Sequence, residues 1–361
     1  MGLKVRAEAP VRVADVGGWT DTWFGSPGRV CHIAVRPGVR VDAALVDIAG
    51  DTDPVLLEAP DIGETYRIGP DPERGWQSPR PARHPLIEHA VADVVERAGL
   101  DPDVGVVVRI SSAVSPGASL GTSASVLVAL LAALDRLLGG TAVRPDPANL
   151  AVRAHQVETV RAGREAGVQD HWAAAVGGAG LITVNSYPAV SREPVELSSA
   201  VVAELDSRLV TVVLDRHDSS MVHRQVVTDM TTCSSVGHDR ARLALRHLSR
   251  LAGEAADSLG AGDLERWGTV LTAATDQQRS LGAGLVGVAH EHAIGIARDN
   301  GAVGWKVNGA GGEGGSLTVL AADTGSAVSL RSDLASADAA WRVVDLSVSP
   351  DGVVVEVSTD R

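Results

Sequence analysis

Apolar and polar positions change period along this chain, and the changes divide it. Residues 5–14 and 28–45 follow a β-type pattern, clearest in the alternation Val39-Arg-Val-Asp-Ala, and the Gly17-Gly18 pair separates the two runs. Residues 84–98 place Leu86, Ala90 and Val94 at helical spacing and stop at Gly99, and residues 104–110 form a short apolar run expected to be a buried strand. An apolar helical segment over 126–138 is closed by Gly139 and Gly140, a second helix is expected over 147–162, and 181–184 reads as a strand. Residues 70–85, rich in Pro and Arg, read as an irregular connection. Beyond a strand at 209–214, three long helical patterns fill 219–300, and strands return at 302–307 and 316–321. A hairpin is expected from 341–346 and 353–357 around Pro350-Asp-Gly. This mixture predicts an α+β chain in two domains, 1–190 and 191–361, dividing near Pro188 and Pro194.

Composition narrows the class. With 361 residues, 45% of them hydrophobic, the chain is long enough for two cores. Its longest apolar stretches fall short of the roughly 20 residues of a membrane span. The N-terminus carries no signal core, so a cytoplasmic, membrane-free protein is expected. A net charge of −13 argues against a nucleic-acid partner, which needs cations to displace phosphate counterions. Cys31 and Cys233 are too few for a disulfide framework and lack zinc-ligand spacing. Lysine occurs only at positions 4 and 306, which reads as a compositional bias toward Arg. A monomer or homodimer is expected.

Chemistry concentrates in three places. SPGASLGTSAS, residues 115–125, runs straight into the apolar helix. The first N–H groups of a helix lack intrahelical partners and face the positive end of its dipole, so such a loop builds an anion site. Gly117 and Gly121 allow close approach, and Thr122, Ser123 and Ser125 add hydroxyls; simple capping is the plainer alternative. Gly309-Ala-Gly-Gly-Glu-Gly-Gly315 satisfies GxGxxG, but the β-rich Ser316-Leu-Thr-Val-Leu after it argues against a dinucleotide fold and for close contact with a ligand or with the first loop. Near the N-terminus Trp19, Thr20 and Asp21 combine an aromatic surface, a hydroxyl and a carboxylate, equipment suited to a polyol. Glu158 and Gln169-Asp170-His171 read, on their own, as a helix-surface pair with Arg161 and a helix cap.

Taken in order, these elements resemble the GHMP kinases, the superfamily that includes galactokinase, homoserine kinase, mevalonate kinase and phosphomevalonate kinase. The galactokinase pattern APGRVNLIGEHTD lies without gaps on residues 9–21, PxxxGLGSSA on 116–124, the family's GAGGGG on 309–314, and its MDQ or QDQ segment on 169–171. GGWTDT at 17–22 is similar to the version in bacterial fucokinases and related sugar kinases.

The resemblance implies an N-terminal domain with a left-handed βαβ element, a ferredoxin-like C-terminal domain, and a site in the cleft between them. It implies ATP held by Pro116, Gly117, Ala118, Ser119, Leu120, Gly121, Thr122, Ser123 and Ala124, and Mg²⁺ held by Ser123 and Glu158. Asp170 would be the catalytic carboxylate and Arg12 its stabilising cation, with Gly18, Trp19, Thr20, Asp21, His171, His217, Gly311 and Gly312 lining the substrate. The expected reaction is phosphoryl transfer to a hydroxyl of a sugar or sugar-like polyol, the anomeric hydroxyl foremost, giving a sugar 1-phosphate. Four departures stand out: Ser119 for the middle Gly of GLG, Glu313 inside the last glycine run, Gly18 for a galactokinase Glu, and His171 for Gln. Ser119 must avoid or accept a backbone conformation that favours Gly. Glu313 either turns away from phosphate or weakens its binding. These two motivate an alternative, a noncatalytic sugar or nucleotide sensor; a kinase for an aminocyclitol or other non-sugar alcohol is another.

Overall fold

The computed structural model describes residues 3–48, 52–139, 146–215, 226–228, 235–282 and 284–359. Strand β1 (Leu3–Val16) pairs antiparallel with the long β2 (Gly28–Asp47), which is also bonded to β6 (Val104–Ser112) and β7 (Ala179–Ser186). The sheet continues through β3 (Val55–Ala59), β4 (Glu64–Asp71) and β5 (Gly75–Arg80). The β3 and β6 pair is parallel, and helix α1 (Pro85–Ala98) lies between them in the chain. Residues 70–80 are thus a hairpin rather than an irregular connection: Pro79 is tolerated because β5 is the edge strand, where a missing N–H breaks no ladder.

Helix α2 (Thr122–Leu138) starts four residues earlier than its apolar run, directly from Gly121. Helix α3 (Pro147–Gln156) widens into a π-helical turn at Val157–Arg161, and α4 (Gln169–Val176) follows. Apolar residues of β1, β2 and β6 join Leu127, Leu130 and Leu131 of α2 in one core.

Strand β8 (Ala189–Val195) pairs with β7 and occupies the stretch expected to be a linker. After α5 (Ser199–Arg208) comes β9 (Leu209–Asp215), then the three expected helices, α6 (Ser235–Ala261), α7 (Leu264–Leu281) and α8 (Val288–Asp299). Strands β10 (Gly304–Val307), β11 (Gly315–Leu320) and β12 (Arg342–Val344) form a second sheet with β9, in the order β10-β11-β9-β12, and α9 (Thr324–Ala337) packs against it. The two-domain α+β class is therefore the one found.

The expected C-terminal hairpin is not found. β12 pairs with β9, whereas β13 (Ser347–Val348) joins β2 and β14 (Val354–Thr359) joins β1. The turn residues at 350–352 carry the chain from β13 to β14 within the first sheet: the Leu3–Glu8 side of β1 would otherwise be an open edge of unpaired backbone groups, and β14 satisfies it. A second core unites Val11, Val13, Ile33 and Val35 of the first sheet with α6 and α7, so the two halves share apolar contacts.

Because α2 carries the loop end deep into the first core, a hole there should be felt. Leu130 is fully buried. Leu130→Ala is expected to lower the unfolding free energy by about 2–5 kcal/mol, read as a lower urea midpoint at unchanged slope; a shift below about 1 kcal/mol would contradict this packing.

Candidate active site

The loop into α2 is wound by three alternate residues in the left-handed region: Gly117 (φ 82°), Ser119 (φ 59°) and Gly121 (φ 76°). Gly121 is the N-cap and supplies no side-chain cap, so the first N–H groups of a 17-residue helix have no capping side chain. Ser123 is exposed there, and the Thr122 hydroxyl is shielded from solvent without a protein partner. Ser125 is different. Its hydroxyl is buried and donates to the Pro10 carbonyl at 2.6 Å, tying the helix to β1.

Arg12, 3% exposed, lies at the centre of the site. Its Nε donates to Asp170 Oδ1 at 2.8 Å and its Nη2 to Asp170 Oδ2 at 3.2 Å, the forked geometry that suits guanidinium and carboxylate. Nη1 donates to the Ser119 carbonyl at 2.5 Å and lies 3.5 Å from Asp15 Oδ1. Burial alone would lower the guanidinium pKa, but Asp15 and Asp170 outweigh it and hold the pKa above its ordinary value. A Cβ on Gly121 would lie 3.2 Å from the Asp170 carboxyl carbon, so the loop passes directly beside this pair. Ser119 accepts the left-handed conformation, at a cost on the order of 1 kcal/mol, and the Arg12 hydrogen bond secures it.

Asp170 begins α4 after the segment 163–168, which has no regular structure. That segment is secured from beneath. Asp21, 2% exposed, accepts the Gln169 N–H at 3.0 Å, and Tyr187 donates its hydroxyl to the Ala166 carbonyl at 2.9 Å while meeting His155 Nε2 at the same distance. A Cβ on Gly167 would stand 2.2 Å from Asp21 Oδ2, so only glycine fits there. Thr20 is likewise buried and bonded to the Gly17 and Arg29 carbonyls, and Trp19 is buried, with φ 78°. Exposed Trp23 donates to Glu165 at 2.6 Å. The polyol-type side chains at 19–21 thus line the interior beneath the Asp170 segment.

Glu158 sits in the π-helical turn, 7% exposed, and does not pair with Arg161, which bonds Asp93 and Glu96. Its Oε2 lies 2.8 Å from Nε2 of His171, a fully buried ring that also packs edge-on against His155.

The third glycine run meets the first loop, as expected. A Cβ on Gly309 would lie 3.0 Å from the Ser119 carbonyl and 3.1 Å from Arg12 Nη2. Gly311 and Gly312 pack against another partner: a Cβ on Gly311 would overlap the Leu285 carbonyl, which also accepts the Gly312 N–H at 2.9 Å. Glu313 is exposed and its carboxylate lies over Gly287. Gly18 faces Asp15, whose Oδ2 would be 2.9 Å from a Cβ there. His217, with the stretch 216–223 around it, lies outside the described residues.

Three site residues escaped the sequence reading: Asp15, Lys306 and Asn308, all buried. Asp15 accepts the Gly309 N–H, and Asn308 accepts the Ala14 N–H at 2.9 Å. The available signal was an acid next to the Val16-Gly17-Gly18 turn and one of only two lysines in the chain.

Residues 85–178 match the family model described as GHMP kinases N terminal domain. Over that stretch the chain is similar to the GHMP kinases. No curated protein matches it in sequence. Solved GHMP-kinase structures share its fold over nearly the whole chain. A D-glycero-D-manno-heptose 1-phosphate kinase from Bacteriodes thetaiotaomicron is 18% identical, with TM-score 0.73 and 98% of each chain covered. The Lactococcus lactis galactokinase complexed with galactose is 17% identical, with TM-score 0.70, covering 97% of this chain and 95% of the other. The Methanococcus jannaschii mevalonate kinase is 15% identical, with TM-score 0.71, covering 97% and 98%. At these identities the likeness is one of fold.

For a GHMP kinase a divalent cation is implied. Among the described residues no group of three or more His, Cys, Asp or Glu side chains is gathered to cage one. Ser123 and Glu158 offer a hydroxyl and a carboxylate, the oxygen donors that suit Mg²⁺ when phosphate oxygens and water complete its shell, so the donor chemistry fits. No helix among the described residues is long and apolar enough to cross a membrane. A cavity of about 700 Å³ is walled by Gly38, Asp61, Ser111, Ser112 and Ala113, the last three leading directly into the loop at 115.

Burial pushes the Asp21 carboxyl up to about 6, against the opposing pull of the Gln169 N–H. An unfolded Asp ionises near pH 4, so between about pH 4 and 6 the native chain holds a proton the unfolded chain has lost, and stability falls as pH rises through that window, by on the order of 3 kcal/mol. Asp21→Asn keeps an acceptor for the amide without the charge. Its melting temperature should exceed the parent's by a few degrees at pH 8, with the gain shrinking toward pH 4. A shift of equal size at both pH values would assign the effect to something other than this carboxyl.

Proposed function

We propose that this chain is a GHMP kinase that transfers the γ-phosphoryl group of ATP to a hydroxyl of a sugar or sugar-like polyol, with the anomeric hydroxyl as acceptor. The forked Arg12 and Asp170 pair beside the open N-terminus of α2 is the observation that carries this reading. Asp170 is the one partner of Arg12 with an appreciably exposed side chain, 26%, so its carboxylate is placed to accept or orient the proton of an entering hydroxyl. Arg12 holds that carboxylate in place and adds positive charge where negative charge develops.

The nucleotide phosphates would lie on the N–H groups at 122–124 and the hydroxyls of Thr122 and Ser123, the site an anion finds at a helix N-terminus. The nucleoside would extend toward the cavity beside Ser112, whose wall at residues 111–113 precedes this loop in the chain. Mg²⁺, held by Ser123 and Glu158, would neutralise phosphate charge when bound. Asp21 acts from the interior, by holding the segment that presents Asp170, while the sugar would meet the more exposed surface around Trp23. The division into 1–190 and 191–361 is proposed with this site between the two parts.

The sensor alternative rested on Ser119 and Glu313. Ser119 occupies the conformation its glycine counterpart would, and Glu313 lies over Gly287, so neither supports loss of catalysis. Sugar specificity draws support from the heptose 1-phosphate kinase and galactokinase likenesses, while the mevalonate kinase likeness keeps a non-sugar alcohol as the second reading.

ADP release from ATP and Mg²⁺ with a panel of monosaccharides, amino sugars, cyclitols and mevalonate tests both. Asp170→Ala should lower turnover by at least about 10³-fold, the scale of a general base with its electrostatic partner, and leave ATP affinity within a few-fold. Retained turnover in that variant, or sugar binding without ADP release in the parent, would defeat the kinase assignment of this site.

A further inference from the structure

Beyond the pair that faces the acceptor, Asp15 is a fully buried carboxylate with no place in the chemistry described so far. The backbone is distorted to put it there. β1 and β2 are in register at Val13 and Ile33 and again at Val16 and Cys31, so Ala14 and Asp15 oppose the single residue His32 in a bulge. Ala14 takes φ 54°, a left-handed conformation unfavourable for any residue with a Cβ, and its N–H is held by Asn308 Oδ1. Asn308 in turn donates to Ser316 and Thr318, which leaves it no rotational freedom.

The bulge delivers the carboxylate to a junction of three parts. Both Asp15 oxygens accept the Gly309 N–H, at 2.9 and 3.1 Å, and Oδ1 lies 3.5 Å from Arg12 Nη1. Buried Lys306 adds a second cation, donating to Gln278 at 2.8 Å and to the Val307 carbonyl. Gln278 closes the circuit through Nε2 to the Gly309 carbonyl at 3.1 Å. Two cations, Arg12 and Lys306, thus face two anions, Asp15 and Asp170. Buried ion groups of this kind contribute little net stability, because desolvation offsets attraction, so their retention calls for another reason.

We propose that Asp15 is a positioning residue for phosphoryl transfer: it fixes the Arg12 guanidinium against the third glycine loop, and through Arg12 it sets the orientation of Asp170. The proposal rests on the assignment of Arg12 and Asp170 as the catalytic pair. Without Asp15, Nη1 keeps only the Ser119 carbonyl and the Gly309 amide loses its acceptor. The fork to Asp170 is then free to rotate about the guanidinium plane, and a small misplacement at a reacting carboxylate lowers turnover steeply while leaving phosphate contacts elsewhere intact.

Asp15→Asn preserves an acceptor for Gly309 but leaves Arg12 and Lys306 with one anion, so it is paired with Asp15→Asn/Lys306→Met, which removes one charge of each sign. ADP release is measured with ATP, Mg²⁺ and galactose, L-fucose, mannose, myo-inositol or water as acceptor, alongside melting temperature and ATP affinity. The double variant should regain the parent's melting temperature and an ATP KM within about 3-fold, yet keep a kcat 10- to 100-fold below the parent's. Recovery of kcat together with stability would reduce Asp15 to a counter-ion for Lys306 and overturn the proposal, as would a parental kcat in Asp15→Asn. Asp170→Ala run in parallel separates the two levels: an active Asp170→Ala removes the catalytic pair itself, whereas an inactive Asp170→Ala beside a fully active double variant removes only the role of Asp15.

Discussion

One guanidinium organises this site. Arg12 is buried among Asp170, Asp15 and the Ser119 carbonyl, and each of those partners belongs to, or bonds to, a different functional segment. A planar fork of five donors cannot be reoriented toward one partner without abandoning another, which makes it a rigid reference point in a way a lysine ammonium would not be. The loop before α2 is placed by its carbonyl, the Asp170 carboxylate by two parallel bonds, and the last glycine run through Asp15 and the Gly309 amide. Burial strengthens these interactions and makes any unpaired member expensive, so the arrangement is tightly specified.

The same constraint explains where the chain departs from easy backbone geometry. Ala14 and Ser119 both take left-handed conformations, and each is held by a hydrogen bond that leads back to this cluster. Gly167 and Gly309 answer the opposite need, close approach with no room for a Cβ. The segment before Asp170 lacks regular structure yet is anchored by the Asp21 carboxylate and the Tyr187 hydroxyl, whose titration burial pushes up to about 12. Order in that segment therefore comes from side chains beneath it rather than from its own backbone.

Much of the fold was readable from period and punctuation. The long helices at 235–261, 264–281 and 288–299 and the strands at 304–307 and 315–320 follow from apolar spacing bounded by glycines. Partner choice was not readable: 354–359 has a sound strand pattern, but whether it folds onto 342–344 or onto the open edge of β1 depends on an edge that exists only in three dimensions. Of the site, the glycine and hydroxyl loops and the order of motifs were legible because their residue types are unusual. Lys306 was taken for compositional bias and Asp15 drew no reading, since a charge within a strand pattern does not reveal its burial. Glu158 was expected to pair along its own helix with Arg161; the π-helical turn changes its direction and gives it to His171, a local widening that no periodicity discloses.

The connections also bear on how the halves of the chain depend on each other. Ala14 and Asn308 are nearly three hundred positions apart, as are Asp15 and Gly309, and both pairs are buried hydrogen bonds. Buried polar groups must be satisfied, so the bulge in β1 and the turn after β10 each supply an acceptor for the other's amide, Asp15 for Gly309 and Asn308 for Ala14. β14 on the edge of β1 and α6 against the first sheet add apolar and backbone contacts in the same sense. Each half therefore supplies polar partners to the other, and Arg12 is the group on which the Asp170 fork and, through Asp15, the turn after β10 converge.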